Sequence, residues 1–536
     1  MIICLIGSSL VLLQAGNNQK IFDQQTDIYP DLRALYLEQG LAPPFPAYPW
    51  SEEEIRFYLD RIHTASLSKA GQRIYSRIQD TLKGDFDFFT SDNQAESSFL
   101  LFNSGVQLNL ESYLHYAVTA PEGMQPEDYV WTHGYDQRLP LLAIPLELWL
   151  ADHIYLYTIW EAREEYRAVD SPTTPEITGN HWNIFDFAVP YLDIYFPFEA
   201  YLSAGGKHWN LQLGRDQLSW GNSQVSNLAL SDAAAYFEFL RFASFWDKLK
   251  FSSFYTVLEP YLPDQTKVDS LALMGHRLDL KFFSRINFAV NELLMVVDEP
   301  AWLLKGLNPV MIYHNWNNND QGNSMLSLEL TVNLWKYFSL YGQLAMDEFA
   351  LKYETDRTGG GGPSAWAYLC GTEVMVPLLG RYLDISLEYA HTDPYFYHSS
   401  NAPYYYNVRR YWSLITDQFE YILHPLGHIM GMDAEGWFFE AAYTIGPYLS
   451  TLLEVDYITR GEQTVLAPYE PEGDEQTPTG TPEKSLVVHT NLENSTLSFL
   501  TTGIDLYWIS LWNAGHITDA RQDDFEFIWY VKYQMF

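Results

Sequence analysis

The feature that most constrains this chain is a strict two-residue repeat. Leu326, Leu328, Leu330, Val332 and Leu334 alternate with Ser327, Glu329, Thr331 and Asn333. Leu192, Ile194, Phe196, Phe198, Ala200 and Leu202 alternate with Tyr191, Asp193, Tyr195, Pro197, Glu199 and Tyr201. A third run closes the chain: Phe525, Phe527, Trp529, Val531 and Tyr533 alternate with Glu526, Ile528, Tyr530, Lys532 and Gln534, ahead of a terminal Phe536 that is out of phase with the apolar set. Period two is the repeat of a β-strand. Each run is about the 9–11 residues of a tilted strand crossing a bilayer. One parity would face lipid and the other a wet interior. A half-buried strand of a soluble sandwich alternates too, so the repeat alone leaves both open.

The connections separate the two. Very short turns with apolar or aromatic flanks stand at Ala151-Asp152-His153-Ile154, Trp246-Asp247-Lys248-Leu249, Phe283-Ser284-Arg285-Ile286, Trp335-Lys336-Tyr337-Phe338 and Gly380-Arg381-Tyr382-Leu383. Long polar connections cover 119–138, 166–183, 298–324, 352–367, 391–411 and 460–484. Short turns at one end and long loops at the other is the sidedness of an outer-membrane barrel, and aromatic flanks suit its interfacial girdle. The expected fold is therefore an all-β transmembrane β-barrel with a small helical domain before it. Residues 99–536 are expected to form the barrel. At about 25 residues per strand with its loop, that gives roughly 16–18 antiparallel strands, an even count being the rule.

Composition removes other classes. With 39 Tyr, 31 Phe and 17 Trp, the chain is too aromatic to be disordered. A spanning helix needs about 20 apolar residues in a row. The richest stretch, Leu139 to Trp160, is interrupted by Pro140, Pro145, Glu147, Asp152 and His153. With 31 Lys+Arg against 68 Asp+Glu, the net charge of −37 repels phosphate and makes nucleic acid an improbable partner.

Residues 1–16, MIICLIGSSLVLLQAG, read as the apolar and cleavage regions of a secretory signal, although no positive segment precedes them. The alternative is a buried N-terminal strand. Cys4 would leave with the signal. Cys370 would then be the only mature cysteine, which excludes an intrachain disulfide and a cysteine metal site. Residues 17–90 read as a helical domain. Asp31–Gln39 has helical spacing and stops at Gly40; Ser51-Glu52-Glu53-Glu54 is a capping box ahead of Ile55, Tyr58, Leu59 and Ile62; Ser68 to Leu82 carries Ile74 and Ile78 four apart. The Pro-rich Ala42–Pro49 joins the first two helices.

Three stretches resemble the capsule-assembly Wzi family of outer-membrane proteins. They are Asp31-Leu32-Arg33-Ala34-Leu35 through Gln39-Gly40-Leu41 with Pro49 and the 51–62 helix; Leu213-Gly214-Arg215-Asp216-Gln217-Leu218-Ser219-Trp220-Gly221 with Asn227-Leu228-Ala229-Leu230-Ser231-Asp232; and Pro425-Leu426-Gly427-His428 with Gly431-Met432-Asp433-Ala434. The second, a G-R-x-x-L-x-W-G strand and loop, is the most specific. The resemblance implies 18 strands, a helical bundle at the periplasmic end, and a surface lectin that holds capsular polysaccharide.

Candidate sites are loops where an aromatic ring could stack on a sugar beside amides and carboxylates. Arg215, Trp220, Asn222, Asn227 and Asp232 form one; the plainer reading is a structural ion pair, Arg215–Asp232, pinning the loop. Trp316 with Asn318 and Asp320 forms another, in a run that also suits an ordinary Asn-rich turn and, on its oxygens alone, a calcium site. Trp131-Thr132-His133-Gly134-Tyr135-Asp136 is similar. His424 and His428 are four apart, but Pro425 and Gly427 argue against a helix and a zinc pair. No nucleophile elbow, phosphate loop, HExxH or cysteine–histidine framework appears. With 68 carboxylates, a glycosidase pair cannot be singled out. The reading is a non-enzymatic outer-membrane barrel with no cofactor and no metal. Its partners are surface polysaccharide, outer-membrane lipid and the barrel-assembly machinery. The rivals are a general porin or sugar channel, and a secreted carbohydrate-active enzyme.

Overall fold

The strand Gly322–Trp335 shows what the alternation does. Ser327, Glu329, Thr331 and Asn333 are all buried, facing inward, while Leu330 on the other parity is 48% exposed. Repeated around the molecule, the same choice of faces gives a polar interior and an apolar outer wall. The computed structural model describes residues 18–83 and 100–535, except 120–131, 134–136, 152, 165–179, 185–191, 194–198, 263–265, 298–307, 309–310, 314–321, 349–364, 399–405, 414–417, 446–447 and 468–475. The signal expected at 1–16, the terminal Phe536 and much of the run 191–202 fall outside these residues.

Eighteen antiparallel strands close into a barrel. Closure comes from the last strand, Arg521–Gln534, pairing with the first between Gln534↔Gln107 and Asp523↔Thr119. The first strand is kinked. Leu100–Ser104 and Gln107–Thr119 hold one register against Leu142–Leu150, from Leu100↔Leu150 to Leu108↔Leu142. A ring leaves no strand edge unpaired, which the interior of a bilayer requires. Turns of two or three residues at 151–153, 207–208, 246–248, 283–285, 336–337, 379–380, 446–448 and 498–499 lie at one end. The strand ends joined by the connections 120–141, 165–198, 217–236, 258–270, 298–321, 349–364, 393–433, 461–482 and 513–520 lie at the other. The expected sorting of loops by length is present. The connection 217–236, read as a loop but not counted among the long connections, is one of them; 258–270 and the shorter 513–520 were not expected.

Three helices precede the barrel: α1 (Ile28–Glu38), α2 (Glu52–Leu59) and α3 (Lys69–Lys83). Every residue of α1 except Pro30 is buried. Ser51 caps α2 by accepting the Glu54 N–H at 3.3 Å. The second half of the expected capping box is diverted. Glu54 turns away from the helix start to meet Lys250 on the barrel wall and the Tyr58 hydroxyl at 3.0 Å.

The helical segment is seated in the turn end of the barrel rather than set apart from it. Arg33 Nε donates to Glu373 at 2.7 Å, Lys20 Nζ pairs with Glu147 at 2.6 Å, and Arg241 donates to the Pro49 carbonyl at 2.6 Å. Lys250 Nζ donates to the Ala47 carbonyl at 2.8 Å, and Asn287 Nδ2 to that of Pro43 at 2.7 Å. The turns join in: Ala42 N–H meets the Ser284 carbonyl at 2.9 Å and Tyr337 N–H that of Leu37 at 2.9 Å. Polar side chains on the inner wall thus satisfy backbone groups of the Pro-rich 42–49 segment, whose only regular structure is the two-residue strand Ala47–Tyr48.

Candidate functional site

The long connection 217–236 folds down into the barrel and meets the helical segment. Ala47–Tyr48 and Ser219–Trp220 form a two-stranded ladder, and Gly221 N–H donates to the Pro46 carbonyl at 2.8 Å. The loop is held to the wall by side chains. Ser223 Oγ donates to Glu388 at 2.8 Å, Tyr341 OH to the same carboxylate at 2.9 Å, and Leu228 N–H to Gln343 Oε1 at 2.9 Å. Gly221 has φ +135°, and a Cβ there would lie 2.1 Å from Asn227 Oδ1. Only glycine fits that crossing.

From the loop end, the segment 425–434 comes down onto the same loop. Ser231 N–H donates to the Leu426 carbonyl at 2.8 Å, Ser231 Oγ to that of Gly427 at 2.6 Å, and Ser226 Oγ to that of Gly427 at 3.2 Å. Tyr397 bridges them, its hydroxyl donating to the Leu228 carbonyl and accepting from His428 N–H at 2.9 Å. Asp433 then ties in the next connection, accepting from Thr479 N–H at 3.1 Å and Gln463 N–H at 3.1 Å. Burial pushes the Asp433 carboxyl up, against these hydrogen bonds. His428 is fully buried against Phe438, and burial with the nearby Arg460 charge holds its imidazole down to about 3.

The three stretches that resembled one family, far apart in sequence, therefore stack on one another along the barrel axis as a single column. Between the helical segment and the loop lies a polar cavity of about 290 Å³. Tyr29, Arg33 and Tyr48 line it from below, Ser219, Ser223, Gln224, Ser226, Asn227 and Asp232 from above, and Asp384 and Glu440 from the wall.

Several candidate residues are not where an exposed glycan site needs them. Trp220 is 1% exposed, packed edge-on to Phe254 at 5.1 Å among Leu218, Leu228 and Leu273, so neither ring face is open to a sugar. Asn222 is buried and donates to Thr331 Oγ1; Asn227 is buried and accepts from Ser223 N–H at 3.1 Å while donating to Ser219 Oγ at 2.9 Å. Both amides pin the loop. Arg215 pairs with Glu238, the residue opposite it on the next strand, and lies 4.3 Å from the Tyr236 ring. The expected Arg215–Asp232 pair gives way to this one because the register Glu238↔Arg215 puts that carboxylate directly alongside. Asp232 is exposed and opens a short 3₁₀ turn. Trp316, Asn318, Asp320, Trp131, Gly134, Tyr135 and Asp136 lie outside the described residues. Thr132 and His133 bond to Glu526 and Glu111 on the inner wall.

The loop end offers a different aromatic pair. Tyr261, between Pro260 and Pro263, and Tyr421, on the hairpin Tyr406–Ser413/Gln418–Pro425, bring their rings to 5.0 Å. Both are half-exposed, and the exposed Lys267 bridges to Tyr261 through the backbone. The sequence signal for Tyr261 was the flanking prolines. Nothing local marked Tyr421, because its partner is 160 residues away.

Residues 198–496 match the profile of the family described as Capsule assembly protein Wzi. The chain belongs to that family. Among solved structures, the Escherichia coli outer-membrane protein Wzi, described as involved in group 1 capsule assembly and as a carbohydrate-binding β-barrel, aligns over 97% of this chain and 99% of its own, at 13% identity and a TM-score of 0.58. OprD of Pseudomonas aeruginosa aligns over 84% of this chain and 100% of its own at 10% identity, with a TM-score of only 0.41. No curated protein sequence matches. At these identities the structural likeness speaks for the fold, and the profile for the family. Of the Wzi-like motifs, all three lie in the column inside this barrel.

Proposed function

We propose that this Wzi-family chain is a non-enzymatic outer-membrane barrel that holds surface polysaccharide at its loop end. Residues 1–16 act as its secretory signal, 17–90 form a helical segment facing the periplasm, and the barrel-assembly machinery inserts 99–536. The observation that carries this is the column: the axis of the barrel is occupied by helix, ladder and loop, joined by hydrogen bonds from Ala47 to Leu426. A diffusion channel needs an open axis, whereas a binding protein needs only a rigid platform for its loops.

A glycan would be held by ring stacking and hydrogen bonds rather than by the overall charge, since −37 repels an acidic polymer. Tyr261 and Tyr421, with Lys267 beside them, supply the platform. Losing a buried aromatic contact typically weakens binding by about ten- to a hundredfold. Tyr261→Ala combined with Tyr421→Ala should therefore reduce retention of surface polysaccharide by that amount and leave the heat-dependent gel shift of the barrel intact. Parent-like retention by a folded variant would remove the platform from consideration. Large steady conductance of the parent in planar bilayers would favour the porin instead, and shortening of the bound glycan would favour an enzyme. A tag near Asn318 should be reachable on intact cells and one near Asp247 should not; the reverse would invert the orientation.

A further inference from the structure

In a chain with more than twice as many acids as bases, an uncompensated basic cluster needs a reason. One exists at the turn end. The exposed face of α3 presents Lys69, Arg73 and Arg77 at four-residue spacing, and the turn 379–380 places Arg381 beside them. Together with Gln72, Ser76, Asp80 and Thr81 they line a groove of about 790 Å³. Arg77 is engaged by Asp31 at 2.9 Å and lies 3.4 Å from Asp27. Lys69, Arg73 and Arg381 have no ion-pair partner among the described residues, whereas Arg33, Arg61, Lys250 and Arg277 each have one. Arg73 donates to the Gly380 carbonyl at 3.2 Å, which fixes α3 to the turn, and Arg381 Nε is buried without a hydrogen-bond partner. Asp80 is the one carboxylate lining the groove; Asp31, held by Arg77, also acts on Arg381 from beside it, so Lys69, Arg73 and Arg381 outnumber the acids near them.

The position of the groove selects its ligand. Along the strand Arg381–Thr392, Tyr382 turns inward to Glu38 and Asp384 to the lumenal cavity. Arg381 takes the opposite parity and stands across from Leu378 on the outer wall. Val376, Leu378 and Leu379 are exposed there, Leu379 to 89%, so apolar wall ends and basic groove begins at one level. That is the level of lipid headgroups. The rest of this acidic surface repels anions, so an anion reaches the groove most readily when the bilayer itself presents it.

We propose that this groove binds the phosphodiester headgroup of an anionic phospholipid from the leaflet at the turn end. Arg381 and Arg73 supply paired N–H donors to phosphate oxygens, Lys69 adds a third charge, and the acyl chains lie along Val376, Leu378 and Leu379. Bound this way, the lipid ties α3, and through it the seated helical segment, to the membrane.

The test uses the full-length protein passed from detergent into nanodiscs of phosphatidylglycerol or of phosphatidylcholine, with retained lipid counted by native mass spectrometry. The parent should keep phosphatidylglycerol in preference to phosphatidylcholine. Each basic side chain near an anionic surface is worth about fivefold in affinity, so the variant R73Q/R381Q should lose roughly 25-fold in phosphatidylglycerol retention and R73K/R381K should recover part of it. K69Q, on an exposed helix position, should lose about fivefold and covers the case in which the double variant fails to fold. Equal retention by folded parent and variants, or equal retention of phosphatidylcholine, would overturn the proposal. So would displacement of phosphatidylglycerol from the parent by millimolar inorganic phosphate or by an acidic oligosaccharide, which would make the groove a site for free anions or for glycan.

Discussion

Glu54 and Lys250 offer the sharpest test of how the helical segment is held. Glu54 follows the Ser51 cap of α2 and is fully buried; Lys250 is fully buried on the barrel wall. Burial pushes the Glu54 carboxyl up, and the Lys250 ammonium against it pulls it back. Glu54→Gln changes almost no volume, so it leaves no cavity and isolates the charge. Lys250 would keep the Ala47 carbonyl at 2.8 Å but lose its only counter-ion in contact among the described residues. Removing one partner of a buried pair costs about 3–5 kcal/mol. At about 1.4 kcal/mol per tenfold, the unseated fraction of the helical segment should rise roughly 150- to 4,000-fold. The closed ring of strands does not depend on this contact, so the heat-dependent gel shift should persist. The assay is limited proteolysis of residues 18–83 in detergent, paired with single-channel recording. Cleavage should accelerate and open events should become more frequent. Adding Lys250→Met should reverse part of the effect, since it removes the uncompensated buried charge while giving up the hydrogen bond to the Ala47 carbonyl. Parent-like proteolysis and conductance in Glu54→Gln, or no rescue by Lys250→Met, would refute the argument that this pair seats the segment.

Other outcomes follow from the same geometry. Trp220→Ala removes the largest side chain of the 217–236 loop and should destabilise that loop by about 3–5 kcal/mol, seen as faster proteolysis of the loop with an unchanged gel shift; unchanged proteolysis would mean the ring is not supporting the loop. Leu330→Arg, on the lipid face, should cost about 2–4 kcal/mol in barrel stability in a bilayer, whereas Thr331→Arg should spare insertion and instead dislodge Asn222, measurable as conductance; equal loss of insertion at both would show the faces to be wrongly assigned. His428 has a folded value of about 3 against an ordinary 6.5, so its contribution is complete above about 6.5 and is lost as pH falls toward 3. Loop-end proteolysis should therefore rise over that window, and His428→Asn, which keeps an acceptor for the Met430 N–H, should flatten the profile; an unchanged profile would place the acid sensitivity elsewhere.

The sequence by itself determined the wall. Alternation at 326–334 and 525–533 set which side chains meet lipid, because period two leaves a strand only two faces and lipid admits only one of them. The short turns and long connections set the two ends. The capping serine at Ser51 and the stop at Gly40 set the start of α2 and the end of α1, since these are contacts between residues a few positions apart, whereas α1 begins at Ile28, three residues before the expected Asp31. Only the tertiary structure decided what fills the barrel. Trp220 reads as a loop aromatic in sequence and becomes a core residue because Ala47–Tyr48 pairs with Ser219–Trp220 from more than 170 residues away. Glu54 reads as half of a capping box and becomes the partner of Lys250, 196 residues on. Arg215 finds Glu238 rather than Asp232 through strand register. Local patterns encode which face of an element is apolar. Which polar groups end up sharing an interior depends on the closure of the ring, and the low dielectric inside then makes each pairing obligatory.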